Sequence, residues 1–132
     1  MADKISFDLV SPEKLLLSEE AEMVTLPGSE GYFGVLAGHS PVISTLKPGV
    51  IEVKGGPDGE RRYFVTSGFA DVSAEKLTVL AEEAIPMESV DAELLGQRIA
   101  NAEEDILQAK TEEARAKAVA HMDALEQLRA SL

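Results

Sequence analysis

At 132 residues, 45% of them hydrophobic, the chain is long and apolar enough for one core-bearing domain, alone or with an appendage. Its 24 acids against 12 bases give a formal charge of −12, which repels nucleic-acid phosphates and anionic lipid headgroups, so neither nucleic-acid binding nor direct lipid insertion is expected. Cysteine is absent, which excludes disulfides and thiol chemistry, and neither a secretory leader nor an apolar run of the ~18 residues a membrane span needs is visible, so a soluble, cytoplasmic setting is expected.

The first 84 residues read as strands. Ile5, Phe7 and Leu9 alternate with Ser6, Asp8 and Val10, the period of a half-buried strand. The runs Met23-Val24-Thr25-Leu26, Val50-Ile51-Glu52-Val53, Tyr63-Phe64-Val65-Thr66 and Leu77-Thr78-Val79-Leu80 follow. Pro27-Gly28, Pro48-Gly49, Gly55-Gly56-Pro57-Asp58-Gly59 and Ser67-Gly68 separate them as turns. No interval holds a crossover helix, so the sheets are expected to be antiparallel, eight to ten short strands in a β-sandwich or flattened barrel. Residues 85–90 read as a connector in which Pro86 breaks the last strand.

Residues 91–132 change to a helical period. Ser89 or Asp91 can cap the first turn. Leu95, Ile99, Ala102, Ile106 and Ala109 form one apolar stripe, and Ala114, Ala118, Met122, Leu125, Leu128 and Leu132 a second. Lys110-Thr111-Glu112-Glu113 offers Thr111 as a cap but no Gly or Pro, permitting either one long helix or two. Two amphipathic stripes need mutual cover, so an antiparallel helical hairpin is expected, weakly packed because so much of its seam is alanine.

Three blocks in order carry a family resemblance: Leu26 through Leu36 followed by His39-Ser40-Pro41, then Leu46-Lys47-Pro48-Gly49-Val50-Ile51, then Gly68-Phe69-Ala70-Asp71-Val72 with Leu77 through Ala84. Together they resemble the epsilon subunits of F-type ATP synthases. Departures are small: Ser67 stands where the family often has Gly, and Ala74-Glu75-Lys76 where an Asn is common. The resemblance implies a ten-stranded N-terminal sandwich followed by a helical hairpin. It implies a non-catalytic rotor subunit of the central stalk, without cofactor, at the cytoplasmic face of the energy-transducing inner membrane. The partners it implies are the gamma subunit and the polar loops of the c-ring, coupling ring rotation to the catalytic head. Glu30, Tyr32 and His39 match the family's signature loop and become the candidate gamma or ring contacts; Tyr32 stands where some relatives carry an acid.

The hairpin implies a further role. In the family it can extend and block hydrolysis by setting its own basic residues against an acidic segment of the beta subunit, for which Arg115, Lys117 and Arg129 are the candidates here. Acids outnumber bases in residues 91–132, nine to five, which does not favour an acidic partner. Some relatives bind ATP through Ile-Asp-x-x-Arg-Ala at the first helix, but here Leu94 replaces the arginine, so weak or no ATP binding is expected.

Other readings of these residues are weaker. Gly28, Gly31 and Gly34 do not lead into a helix, as a phosphate loop requires, and read as turn glycines. His39 beside Ser40 could suggest a small hydrolase, but adjacent residues rarely aim at each other and no orienting acid is identifiable. Two histidines without cysteine argue against zinc, and Glu19-Glu20, Glu82-Glu83 and Glu103-Glu104-Asp105 lack a calcium-loop pattern. A freestanding regulatory or ligand-sensing module on the same fold is the alternative to a rotor subunit.

Overall fold

The computed structural model describes residues 4–131. The chain divides into two compact units, Met1–Met87 and Glu88–Leu132. The first contains β1 (Ile5–Val10), β2 (Leu15–Ala21), β3 (Met23–Gly28), β4 (Gly31–Val35), β5 (Val42–Leu46), β6 (Gly49–Gly56), β7 (Gly59–Val65), β8 (Gly68–Val72), β9 (Lys76–Ala81) and β10 (Ala84–Pro86). The second contains a 3₁₀ turn at Met87–Ser89, which straddles the boundary, then α1 (Ala92–Gln108) and α2 (Glu112–Ala130).

Hydrogen bonding links the strands in the order β10-β7-β6-β3-β5-β8-β9-β1-β2, with β4 on the other edge of β3. The sheet folds into a sandwich at β3. Met23, Val24 and Thr25 pair with Lys54, Val53 and Glu52 of β6, but Gly28 pairs with Leu46 of β5. One pair departs from the expected antiparallel pattern: β1 lies parallel to β9, Phe7 opposite Leu77 and Leu9 opposite Val79. The whole sandwich separates these two strands in sequence, so no crossover helix is needed between them.

The alternation predicted for β1 holds in space. Ile5, Phe7 and Leu9 are fully buried, and Ser6, Asp8 and Val10 are only half-buried. They meet Val24, Leu26, Val35, Ile51, Val53, Leu77 and Val79 in one apolar core. Each such side chain contributes about 1.5–3 kcal/mol by leaving water.

Pro86 does not break the last strand. Ile85 pairs with Phe64 and Pro86 with Tyr63, so β10 takes the first two residues of the expected connector. A proline is accepted there because β10 ends the sheet, where its missing N–H interrupts no central ladder.

The hairpin forms as expected. Asp91 caps α1, its carboxylate accepting the Leu94 amide at 2.8 Å, and Thr111 caps α2 through the Ala114 amide at 3.0 Å. Between them Ala109 turns extended, at φ −64° and ψ 129°. The cap therefore makes the break without Gly or Pro. Leu95, Ile99 and Ala102 are buried on α1, and Leu125 and Leu128 on α2. The second stripe starts later than expected, because Ala114 is exposed; Leu132 lies outside the described residues.

Candidate interaction surfaces

The inward and outward phases of the strands define an outer face on β5, β8, β9, β1 and β2. Across it, Thr45 pairs with Phe69, Phe69 with Leu80, Leu80 with Val10, and Val10 with Leu15. Phe69 is 45% exposed, Leu80 40% and Leu15 55%, and Ile43, diagonal to Phe69, is 73% exposed. These are large apolar side chains on the phase that strand alternation reserves for polar ones. Beside them runs a polar row, Asp71, Thr78, Asp8 and Ser18 in cross-strand register. Asp8 accepts the Ser18 hydroxyl at 2.7 Å and pairs with Lys76 at 3.2 Å. The Ser18 hydrogen bond, ahead of the opposing effect of burial and aided by Lys76, holds the Asp8 carboxyl below its ordinary range.

The signature-loop candidates do not form one cluster. Glu30 is exposed in the β3–β4 turn, whose Ser29 amide donates to the Thr45 carbonyl at 3.0 Å. Tyr32 is the second residue of β4, 55% exposed, with its hydroxyl accepting the Val50 amide at 3.0 Å. His39 lies beyond the other end of β4, in a loop held to the β8–β9 turn by the Gly38 amide on the Ala74 carbonyl at 2.8 Å. Glu30 and His39 thus stand at opposite ends of β4, one tied to β5 at Thr45 and the other to the turn after β8.

His39 makes no hydrogen bond to the Ser40 hydroxyl. Its Nδ1 donates to the Ser40 carbonyl at 2.7 Å rather than facing the Ser40 hydroxyl. Asp91, the acid matched to the ATP motif, spends its carboxylate on the helix cap. Among the described residues, no three His, Asp or Glu side chains gather as a metal site.

On the hairpin, Arg115 and Lys117 lie in the exposed early turns of α2, and Arg129 is exposed in its last turn. There Arg129 faces the negative end of the helix dipole. Leu107, near the end of α1, is 86% exposed. No helix among the described residues is long and apolar enough to cross a membrane.

Sequence reasoning missed Ile43, Phe69, Leu80 and Leu15. The signal existed for Phe69: it sits between Gly68 and Ala70, and a small residue on the inward phase beside a large one on the outward phase marks an apolar outer face.

A sandwich with an apolar outer face, followed by a short helical hairpin, describes a two-part chain with a surface of interface character. Residues 4–87 match the family model described as ATP synthase, Delta/Epsilon chain, beta-sandwich domain. The chain is 49% identical over 129 residues to the ATP synthase epsilon chain of Parvibaculum lavamentivorans, covering 98% of each. It is 49% identical over 118 residues to that of Mesorhizobium japonicum, covering 89% of this chain and 87% of the relative. Among solved structures, a chain of the Euglena gracilis mitochondrial ATP synthase OSCP/F1/c-ring matches with a TM-score of 0.75 and 29% identity, over 97% of this chain and 81% of that one. A chain of the Tetrahymena thermophila mitochondrial ATP synthase central stalk and c-ring shares the fold, with a TM-score of 0.69 and 14% identity over 96% and 97%. The chain belongs to the ATP synthase epsilon family: it is a non-catalytic, central-stalk subunit of that complex.

Proposed function

We propose that the chain is the joint between the membrane ring and the catalytic head, held by its sandwich against the gamma subunit. The observation that carries this reading is the exposed apolar row Phe69–Leu80–Leu15 with Ile43, on a chain whose charge otherwise keeps it in water. A lasting grip needs a desolvated apolar centre with a polar rim, which Asp71, Asp8 and Lys76 supply. The turn bearing Glu30 meets the polar loops of the c-ring, and His39 extends the gamma contact at the opposite end. Torque then passes through a stiff sandwich rather than a hinge. The complex holds the chain peripherally, at the cytoplasmic face of the energy-transducing inner membrane.

The hairpin has a second role, regulating hydrolysis by contact with the beta subunit through Arg115, Lys117 and Arg129. Its acid excess makes that contact weak. Binding of the full chain to a gamma-bearing head, followed by calorimetry, tests the main reading. Ile43→Glu and Phe69→Glu each weaken binding at least about tenfold, the scale of an interface anchor. Unchanged affinity in both overturns the assignment of this face.

A further inference from the structure

Tyr32 occupies the corner where β3 leaves β6 for β5. Continuing the β3–β6 register beyond Thr25 opposite Glu52 sets Pro27 opposite Val50. Pro27 has no N–H, and its carbonyl is taken by the Lys47 amide at 3.0 Å. Val50 pairs with Phe64 on the β7 side, but β3 offers its amide no acceptor, and that amide donates instead to the Tyr32 hydroxyl at 3.0 Å. The fit around the ring is close. A Cβ on Gly49 would meet Tyr32 Oη at 2.6 Å and Pro27 Cβ at 2.7 Å.

We infer that Tyr32 is a positioning residue: it clamps the corner and so fixes the direction in which the Ser29-Glu30 turn points. This rests on the reading of that turn as the ring contact. The hydroxyl replaces one missing ladder bond at the point where β3 exchanges partners, and with Pro27 it fills the space that a side chain at residue 49 would need. Tyr32 thereby ties the turn after β3 to the start of β6, and Glu30 is presented on a rigid tip rather than on a free hairpin end.

The test uses Tyr32→Phe, which keeps the ring and removes the acceptor, beside Glu30→Gln. Amide exchange is measured on the full chain, and ATP-driven ion pumping per ATP hydrolysed on the assembled complex in vesicles. The inference expects Val50 exchange about five- to tenfold faster in Tyr32→Phe, the factor one ordinary hydrogen bond sets, with the melting temperature lowered by no more than about 4–8 °C. It also expects pumping per ATP to fall in both variants. Unchanged Val50 exchange overturns the clamp. Faster exchange with normal pumping, while Glu30→Gln lowers pumping, overturns the positioning role alone. Normal pumping in both overturns the ring-contact reading and the positioning role with it, leaving the Val50 result to decide the clamp.

Discussion

Glu19 Oε1 lies 3.1 Å from Arg61 Nε, although β2 and β7, which carry them, share no ladder. Glu19 faces the same way as Ala21 and is 5% exposed at its side chain, whereas Arg61 keeps 34% and also donates to Asp58 at 2.7 Å. The contact is an ion pair without hydrogen-bond alignment, and neither Glu19 oxygen has a hydrogen-bond partner. Removing Arg61 strands a buried carboxylate. Arg61→Ala should cost roughly 2–3 kcal/mol, at or below the lower end of the range for buried pairs because Arg61 is one-third exposed. Replacing both residues by leucine should cost far less or stabilise, since the desolvation of two charges disappears. Calorimetric unfolding of both variants checks the order; a double variant as unstable as Arg61→Ala contradicts it.

Glycine replacements should split by unit. A Cβ on Gly68, at φ +154°, would run into the Leu80 carbonyl oxygen and meet Ala81 Cα at 2.9 Å, in backbone that cannot give way. Gly68→Ala should lower stability by about 3 kcal/mol or more. Gly96, within α1, has nothing within 4 Å of an added Cβ, so Gly96→Ala should stabilise by about 0.5–1 kcal/mol. Thermal melts followed by circular dichroism distinguish the two signs.

Acid should act through Asp8. Its folded-state pKa lies below the unfolded value, first through the Ser18 hydroxyl and then through Lys76. Its stabilisation is therefore complete above the unfolded value of about 3.9 and is lost as pH falls through the folded one. Asp8→Asn should destabilise at pH 7 and make little difference once both forms of the wild-type carboxyl are protonated. A stability gap that persists unchanged at low pH contradicts the assignment.

The hairpin should open before the sandwich. Two side chains, Leu125 and Leu128, are all that α2 fully commits to burial, and residues 112–117 are exposed throughout. Amides of 92–130 should exchange faster than those of β1, β3 and β9. Leu125→Ala, at about 2–4 kcal/mol for a buried leucine, should speed exchange across both helices. Equal protection in both units removes the case for a weak hairpin.

Local chemistry made much of this legible. The period of two at Ile5, Phe7 and Leu9 became a buried strand, and Thr111 began a second helix after a break made without Gly or Pro. What escaped was long-range. Nothing near Phe7 announces a parallel partner at Leu77, and Pro86 reads as a breaker until its place at the sheet's end is known. Candidate surfaces divided likewise. Glu30, Tyr32 and His39 stood out because their loop has a recognisable pattern, but their separation along β4 did not. The row from Phe69 to Leu15 exists only once four strands are set side by side.

The most direct measurement is ion pumping per ATP hydrolysed by vesicle-bound ATP synthase depleted of this chain, before and after the full chain is restored. As a coupling joint, the chain should be required: depletion abolishes pumping while hydrolysis continues, and restoration recovers it. Pumping that persists at the original ratio without the chain would contradict the account.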